Sequence, residues 1–262
     1  MSLAESWPMR LQEQLRDRLH VPIEVINAGI PGRTSADTIV NLALRVLPLD
    51  PDVIIVVHGV NDQKPNRWPG FRDDYSHWYE PPASAAAVLL NSVIDHSLVL
   101  AHCRWRIRRL DPGYRDNVRG MLVERHDTVS PVGLEAYRRN LITISGMARA
   151  HGVILVLATV GHSLDGNADW QPCDGPNRLL YHHAGLTLQG LKHGFMEYNR
   201  VTREVAAEVA APLVDIERHL PPGEQFFQDD VHFTAAGASR VADLFGELVL
   251  WTGWAGEAAR SR

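Results

Sequence analysis

The sequence predicts an α/β protein built on an open parallel sheet with helices on both faces. Three observations carry that reading. Strand-like and helix-like segments alternate along the chain. Two strand segments, residues 53–57 and 153–158, are uninterrupted apolar runs of the kind found where both faces of a parallel sheet are covered. Marked polar or glycine-rich stretches follow the strand segments, at the carboxyl ends where such sheets bind ligands.

Taken in order, residues 7–20 read as an amphipathic helix. Ser6 is its N-cap, Pro8 suits the first turn, and Trp7, Leu11, Leu15 and Leu19 share a face. Residues 22–27 read as a buried strand and 28–34 as a turn-rich loop. A helix over 35–47 follows, capped by Thr34 or Ser35, and Pro51-Asp52 breaks the chain. The strand at 53–57 runs into His58-Gly-Val-Asn-Asp62. Residues 64–82, rich in Pro, Trp, Tyr and Asp, read as irregular. Residues 83–110 look helical, apolar at first and then basic and aromatic from Arg104 to Arg109, and Asp111-Pro-Gly113 stops them. A polar connection over 114–132 leads to a helix at 133–151, which Gly152 ends in a left-handed cap. The strand at 153–158 precedes a long loop at 161–190. A helix at 191–209, a short last strand at 212–216 and a closing helix at 235–250 complete the chain. The small, polar tail from Thr252 is expected to fray.

A length of 262 residues suits a single domain over 1–262, with insertions at about 64–132 and 161–190. The net charge of -5 provides no sequence-wide basic field for nucleic acid. Cys103 and Cys173 make neither a disulfide framework nor a zinc set, and reduced thiols fit the cytosol. The first twelve residues lack a basic start leading into an apolar core, so no signal peptide is expected. No uncharged apolar run reaches the roughly 18 residues a membrane span needs. The basic, aromatic end of 83–109 allows a lid or membrane-surface helix, but a helix of this kind more often packs on the core. His182, His183 and His193 fit no common metal spacing, so neither metal nor cofactor is expected.

Chemistry concentrates in three stretches. Asp229-Asp-Val-His232 puts a carboxylate three residues before an imidazole on a tight turn. There the carboxylate can hold one ring nitrogen while the other acts as a base; the competing reading is a helix cap. In Gly59-Val-Asn-Asp62 the Asn61 amide can donate to a negative oxygen, although Asn-Asp is also ordinary turn chemistry. In Asn27-Ala-Gly-Ile-Pro-Gly32-Arg-Thr-Ser35, Gly32 lies just before a helix start, where its N–H could point at an anion or simply form a connecting turn.

In this order, the three stretches resemble the SGNH/GDSL hydrolase family, serine esterases, lipases, thioesterases and carbohydrate esterases on a flavodoxin-like, three-layer α/β/α sheet. Asn27 to Ser35 looks like its second block, Gly59 to Asp62 its third and Asp229 to His232 its last. The resemblance implies His232 as general base and then acid, with Asp229, rather than the adjacent Asp230, orienting it. It implies Asn61 and the Gly32 N–H as oxyanion donors, with Gly29 the runner-up for the second. It also implies a small acyl-ester substrate and an acyl-enzyme. The family's first block, a strand followed by Gly-Asp-Ser or Gly-x-Ser, has no counterpart here. Ser2 and Ser6 lack that context, as do Ser35, Ser130 and Ser163. The expectation is therefore that the nucleophile lies upstream of Met1, that the first, central strand is missing, and that this chain by itself is hydrolytically almost inactive. The rival is a binding domain that kept the fold and lost the nucleophile. A flavodoxin-like nucleotide binder would need a phosphate-binding glycine loop after its first strand, and none is present.

Overall fold

The structure is a computed structural model and describes residues 6–67, 71–75, 97–100, 102–103, 124–164, 183 and 185–252. Helix α1 spans Trp7–Leu19. Helix α2, Ser35–Asn41, runs on through a wide turn at Leu42–Val46 and a tight turn at Leu47–Leu49. Strand β1 is Val53–Val57 and helix α3 is Val60–Asn66. Helix α4, Pro131–Ala150, leads to strand β2, Ile154–Ala158. Helix α5, Leu188–Glu208, leads to strand β3, Leu213–Val214, and the short helix α6, Ile216–His219. Helix α7, Ala235–Thr252, closes the described chain.

Among the described residues the sheet has three strands in the order β1-β2-β3. Both pairings are parallel, with Val53 opposite Ile154 and Leu157 opposite Leu213. Alternation along β1 and β2 sends side chains to opposite faces. Ile54, Val56, Leu155 and Leu157 join Tyr137, Leu141, Ile144, Phe195 and Val201 of α4 and α5 in one core. Val156, Ala158 and Val214 join Leu11, Leu15, Val241 and Phe245 of α1 and α7 in the other. The result is the predicted three-layer α/β/α arrangement, with the sheet's carboxyl ends leading into residues 58–62 and 159–164.

Several boundaries depart from the sequence reading, each for a local reason. Residues 22–27 form no regular element and pair with no strand in the described structure. Their backbone is held by α1 side chains instead: the Val25 N–H donates to Gln12 Oε1 at 2.8 Å, and Arg16 Nε donates to the Ile23 carbonyl at 2.6 Å. This segment, α1, α2 and β1 all line a cavity of about 2120 Å³. The stretch after β1 is a helix start rather than a loop, because Gly59 takes φ +134° and turns the chain into α3. The last strand is shorter than expected, because the Asp215 carboxylate accepts from the Arg218 N–H and so begins α6. Gly152 takes φ +69°, the left-handed conformation expected after α4. Of the expected helix at 83–110, only 97–100 and 102–103 fall within the described residues. The same holds for all but residues 161–164, 183 and 185–190 of the long loop. No helix among the described residues is long and apolar enough to cross a membrane.

Candidate active site

The turn before α7 is built by its own backbone. Phe227 and Phe233 form an antiparallel bridge, the Gln228 N–H donates to the His232 carbonyl at 2.7 Å, and the Thr234 N–H donates to the Phe226 carbonyl at 2.9 Å. Within it the Asp229 carboxylate accepts from the Val231 N–H at 3.0 Å and the His232 N–H at 2.8 Å. The same carboxylate lies 2.9 and 2.7 Å from His232 Nδ1. The helix-cap alternative therefore divides between two residues. Thr234 Oγ1 accepts from the Gly237 N–H at 3.1 Å and caps α7, while Asp229 is committed to the turn and to the imidazole. Burial opposes ionisation of Asp229. The His232 hydrogen bond, the two backbone N–H groups and the His232 charge outweigh it and bring the carboxyl down to about 2. Nε2 is the ring nitrogen that Asp229 does not engage.

The second and third stretches are tied together by one buried carboxylate. Asp62, fully buried, accepts from the Ser35 N–H at 3.0 and 3.2 Å, from Ser35 Oγ at 2.5 Å and from the Tyr75 hydroxyl at 3.0 Å. Asn140 of α4 donates to Ser35 Oγ at 2.9 Å. Asp62 thus fixes the start of α2, which sets the loop before it, and Thr34 and Asp37 complete a capping box there. Asn61, one residue back, donates Nδ2–H to the Arg33 carbonyl at 3.0 Å. An amide carries two N–H donors, so a second remains beyond this bond. Gly32 takes φ +78°, a conformation that favours glycine. The Gly29 N–H is spent locally on Asn27 Oδ1 at 3.0 Å.

These groups line a single cavity of about 440 Å³. Gly32, Asn61, Asp229 and His232 all contribute, beside an apolar wall of Ile30, Val57, Val160, Val231 and Phe233. Four of the site residues expected from the sequence, Gly32, Asn61, Asp229 and His232, therefore share one cavity, which the runner-up Gly29 does not line. Two further lining residues lie outside the roles the sequence motifs mark. Lys64, one turn along α3 from Val60, has its ammonium pushed below the usual lysine range by burial. Asp230, the neighbour of Asp229, is buried, and its carbonyl accepts from the Ser163 N–H at 2.9 Å. Tyr75 and Asn140 also support the site, but nothing local in the sequence marks them. Of the histidines weighed as metal ligands, His183 Nε2 meets the Val60 carbonyl at 2.9 Å and His193 Nδ1 accepts from the Val129 N–H at 3.4 Å. His182 lies outside the described residues.

The serines present different surroundings. Ser35 is sequestered by Asp62, and Ser163 Oγ accepts from the Gly223 N–H at 2.8 Å. Ser6 occupies the N-cap position of α1, but its side chain makes no capping hydrogen bond.

Asp230 gives the site a pH-dependent cost. Burial first, then the Asp229 charge, pushes its carboxyl from 3.8 up to about 6, with His162 pulling the other way. Between those two values the folded protein keeps a proton that the unfolded chain has lost, so this group's contribution to stability falls as pH rises through about 6. Asp230→Asn is expected to raise Tm by a few degrees at pH 8 and to leave it nearly unchanged at pH 4. Thermal unfolding at both pH values measures it, and an equal shift at the two would refute the assignment.

The fold and the gathered groups define the class: an α/β/α protein with an Asp-His pair beside Asn and Gly amide groups at the carboxyl end of its sheet. The chain belongs to the GDSL-like Lipase/Acylhydrolase family, which it matches over residues 2–240. No curated protein matches it in sequence. Solved structures match its fold. Axe2, an acetylxylan esterase from Geobacillus stearothermophilus, is 16% identical with a TM-score of 0.53, over 92% of this chain and 78% of that one. LAE5, an α/β hydrolase from the metagenome of Lake Arreo, is 16% identical with a TM-score of 0.54, over 95% and 82%. TesA is 17% identical with a TM-score of 0.51, over 95% and 89%.

Proposed function

We propose that this site hydrolyses small acyl esters through an acyl-enzyme. A serine hydroxyl presented at the cavity would attack the ester carbonyl as its proton passes to His232 Nε2. The new C–O bond leaves a tetrahedral oxyanion. Asn61 Nδ2–H and the Gly32 N–H would stabilise that oxygen. On collapse the alkoxide leaves with the proton from His232. Water then attacks the acyl-enzyme, gives its proton to the same nitrogen, and the serine leaves with it. Asp229 holds the imidazole in the tautomer this requires.

The observation that carries this reading is the convergence of Gly32, Asn61, Asp229 and His232 on one cavity, from three stretches far apart in sequence. The choice of Gly32 over Gly29 is supported by the Gly29 N–H being engaged with Asn27. The cavity's volume, near the small end of the range for ligand pockets, and its apolar wall favour a short acyl group. The test is hydrolysis of p-nitrophenyl acetate under a fluorophosphonate. Turnover is expected to stop in step with phosphonylation of one serine, located by peptide mass spectrometry. Turnover that survives complete labelling would overturn the mechanism.

A further inference from the structure

We propose that Lys64 selects the substrate of this cavity, and that the substrate is an ester bearing a carboxylate a few atoms from its scissile carbonyl. This rests on the esterase reading for the fate of the ester, but the anion site itself stands on placement and charge.

Lys64 lies on α3 three residues after Asn61, and both line the cavity of about 440 Å³. Side chains three apart on a helix are neighbours, with Cβ atoms about 5–6 Å apart. A substrate carbonyl held by the Asn61 amide therefore has its next few atoms within reach of the Lys64 ammonium. The backbone that carries Lys64 is fixed by its neighbours. Asn66 donates to the Tyr198 hydroxyl at 3.0 Å and to the Ser130 carbonyl at 3.2 Å. That hydroxyl in turn donates to the Asp62 carbonyl at 3.0 Å. Asp62, Gln63, Pro65 and Asn66 are all buried, so α3 does not depend on the Lys64 side chain for its position.

Charge decides what Lys64 can hold. It is half-buried, and among the described residues no carboxylate pairs with it. A cation drawn out of water without a partner is costly. Elsewhere the chain pairs a cation in that position: Arg203 meets Asp215 at 2.8 Å and Glu217 at 2.5 Å. Lys64 is also the one lysine or arginine among the described residues that line the cavity. The imidazole of His58 is kept neutral by burial, with Nε2 at 2.6 Å from Thr38 Oγ1. Asp229 is held by His232 and two backbone N–H groups, and Asp230 stands beside it. The cavity thus carries its acids on the turn before α7 and its cation on α3. A carboxylate on the substrate is drawn to α3 and turned away from those acids, which fixes the way round the ester lies. The ordinary alternative is a lysine whose stem covers apolar wall and whose ammonium faces water.

The experiment measures binding of four amides, which are not esters and do not turn over, to the whole chain at neutral pH. Succinamate carries the carboxylate on the acyl side and N-acetylglycine on the side of the leaving alcohol. Isocaproamide and N-isobutylacetamide are their neutral isosteres. One anion is expected to bind at least about tenfold tighter than its isostere, and the one that does identifies the half of the ester that bears the charge. In Lys64→Met that preference should fall below about twofold, and Lys64→Arg should restore most of it. The chain's lysines are Lys64 and Lys192 alone, so isotope-labelled methylation reports the Lys64 ammonium directly by NMR. Saturation with the preferred anion should raise its pKa, because a nearby negative charge favours the charged form. The matching esters, monomethyl succinate against methyl isocaproate and O-acetylglycolate against isobutyl acetate, should show the same preference in kcat/KM. No preference for either anion, or one that survives Lys64→Met, overturns the proposal. Equal loss of anion and isostere in Lys64→Met makes Lys64 a piece of cavity wall and overturns it too. Anion-selective binding that Lys64→Met removes, in a chain that hydrolyses none of the esters, upholds the anion site and counts against the esterase reading alone.

Discussion

Where a serine is presented at the cavity, replacing His232 with alanine is expected to lower kcat/KM for p-nitrophenyl acetate by on the order of 10⁴-fold or more. The loss is large because in the proposed cycle one nitrogen would take the proton of the attacking serine and then that of the attacking water, and return it to the serine. The expected loss lies in kcat. In the proposed mechanism the acyl group would rest on the wall formed by Ile30, Val160 and Phe233, and the oxyanion donors would come from other stretches, so KM should change little. Stability should also change little, because His232 is exposed and the turn around it is closed by the Phe227–Phe233 bridge and by backbone bonds to Asp229. Steady-state kinetics on the two proteins, with serine labelling and thermal unfolding as controls, measures the effect. A loss under about tenfold would remove His232 from the chemistry, since an acyl transfer deprived of its base does not retain that much rate.

The parts of this molecule legible in its sequence share a physical property: their signal is local. Residues 53–57 and 154–158 announce themselves because both faces of the sheet are covered, which makes every position apolar. Asp229 and His232 are readable because the carboxylate and the imidazole it holds are three residues apart. The glycine of the second stretch is readable because a left-handed backbone is needed at Gly32. What escapes has partners elsewhere. The Asp62 carboxylate is held by Ser35 and Tyr75, 27 and 13 residues away, and Asn140 reaches Ser35 across 105 residues. Residues 22–27 have strand composition, but a strand exists only with a neighbour to pair with, and composition does not report whether that neighbour is there. The helix at Val60–Asn66 was hidden for the opposite reason. Asn-Asp reads as a turn, yet here Gly59 makes the turn and Asp62 faces inward toward Ser35.

Asp229→Asn is the second large effect, expected at about 10³- to 10⁴-fold in kcat at neutral pH. The substitution preserves shape. An asparagine Oδ1 can still accept the Val231 and His232 N–H bonds, now 3.0 and 2.8 Å long, so the turn should persist. What changes is the partner of Nδ1. The carboxylate only accepts, which requires Nδ1 to carry the proton and leaves Nε2 as the base. An amide can donate instead, which favours the opposite tautomer and puts a proton on the nitrogen that must receive one. The charge that would stabilise imidazolium in the transition state is also gone. The accompanying stability change has a definite sign. Asp229 is held at about 2 against an ordinary 3.8, so its contribution is present above about 4 and is lost as pH falls through about 2. Asp229→Asn should therefore lower Tm at pH 7 and converge on the parent protein toward pH 2. Asp229→Ala adds loss of the two backbone bonds and should destabilise the turn further at every pH. An Asp229→Asn protein with near-parental kcat would show that the carboxylate serves the turn alone, returning this residue to the structural role that a carboxylate three residues before a histidine so often plays.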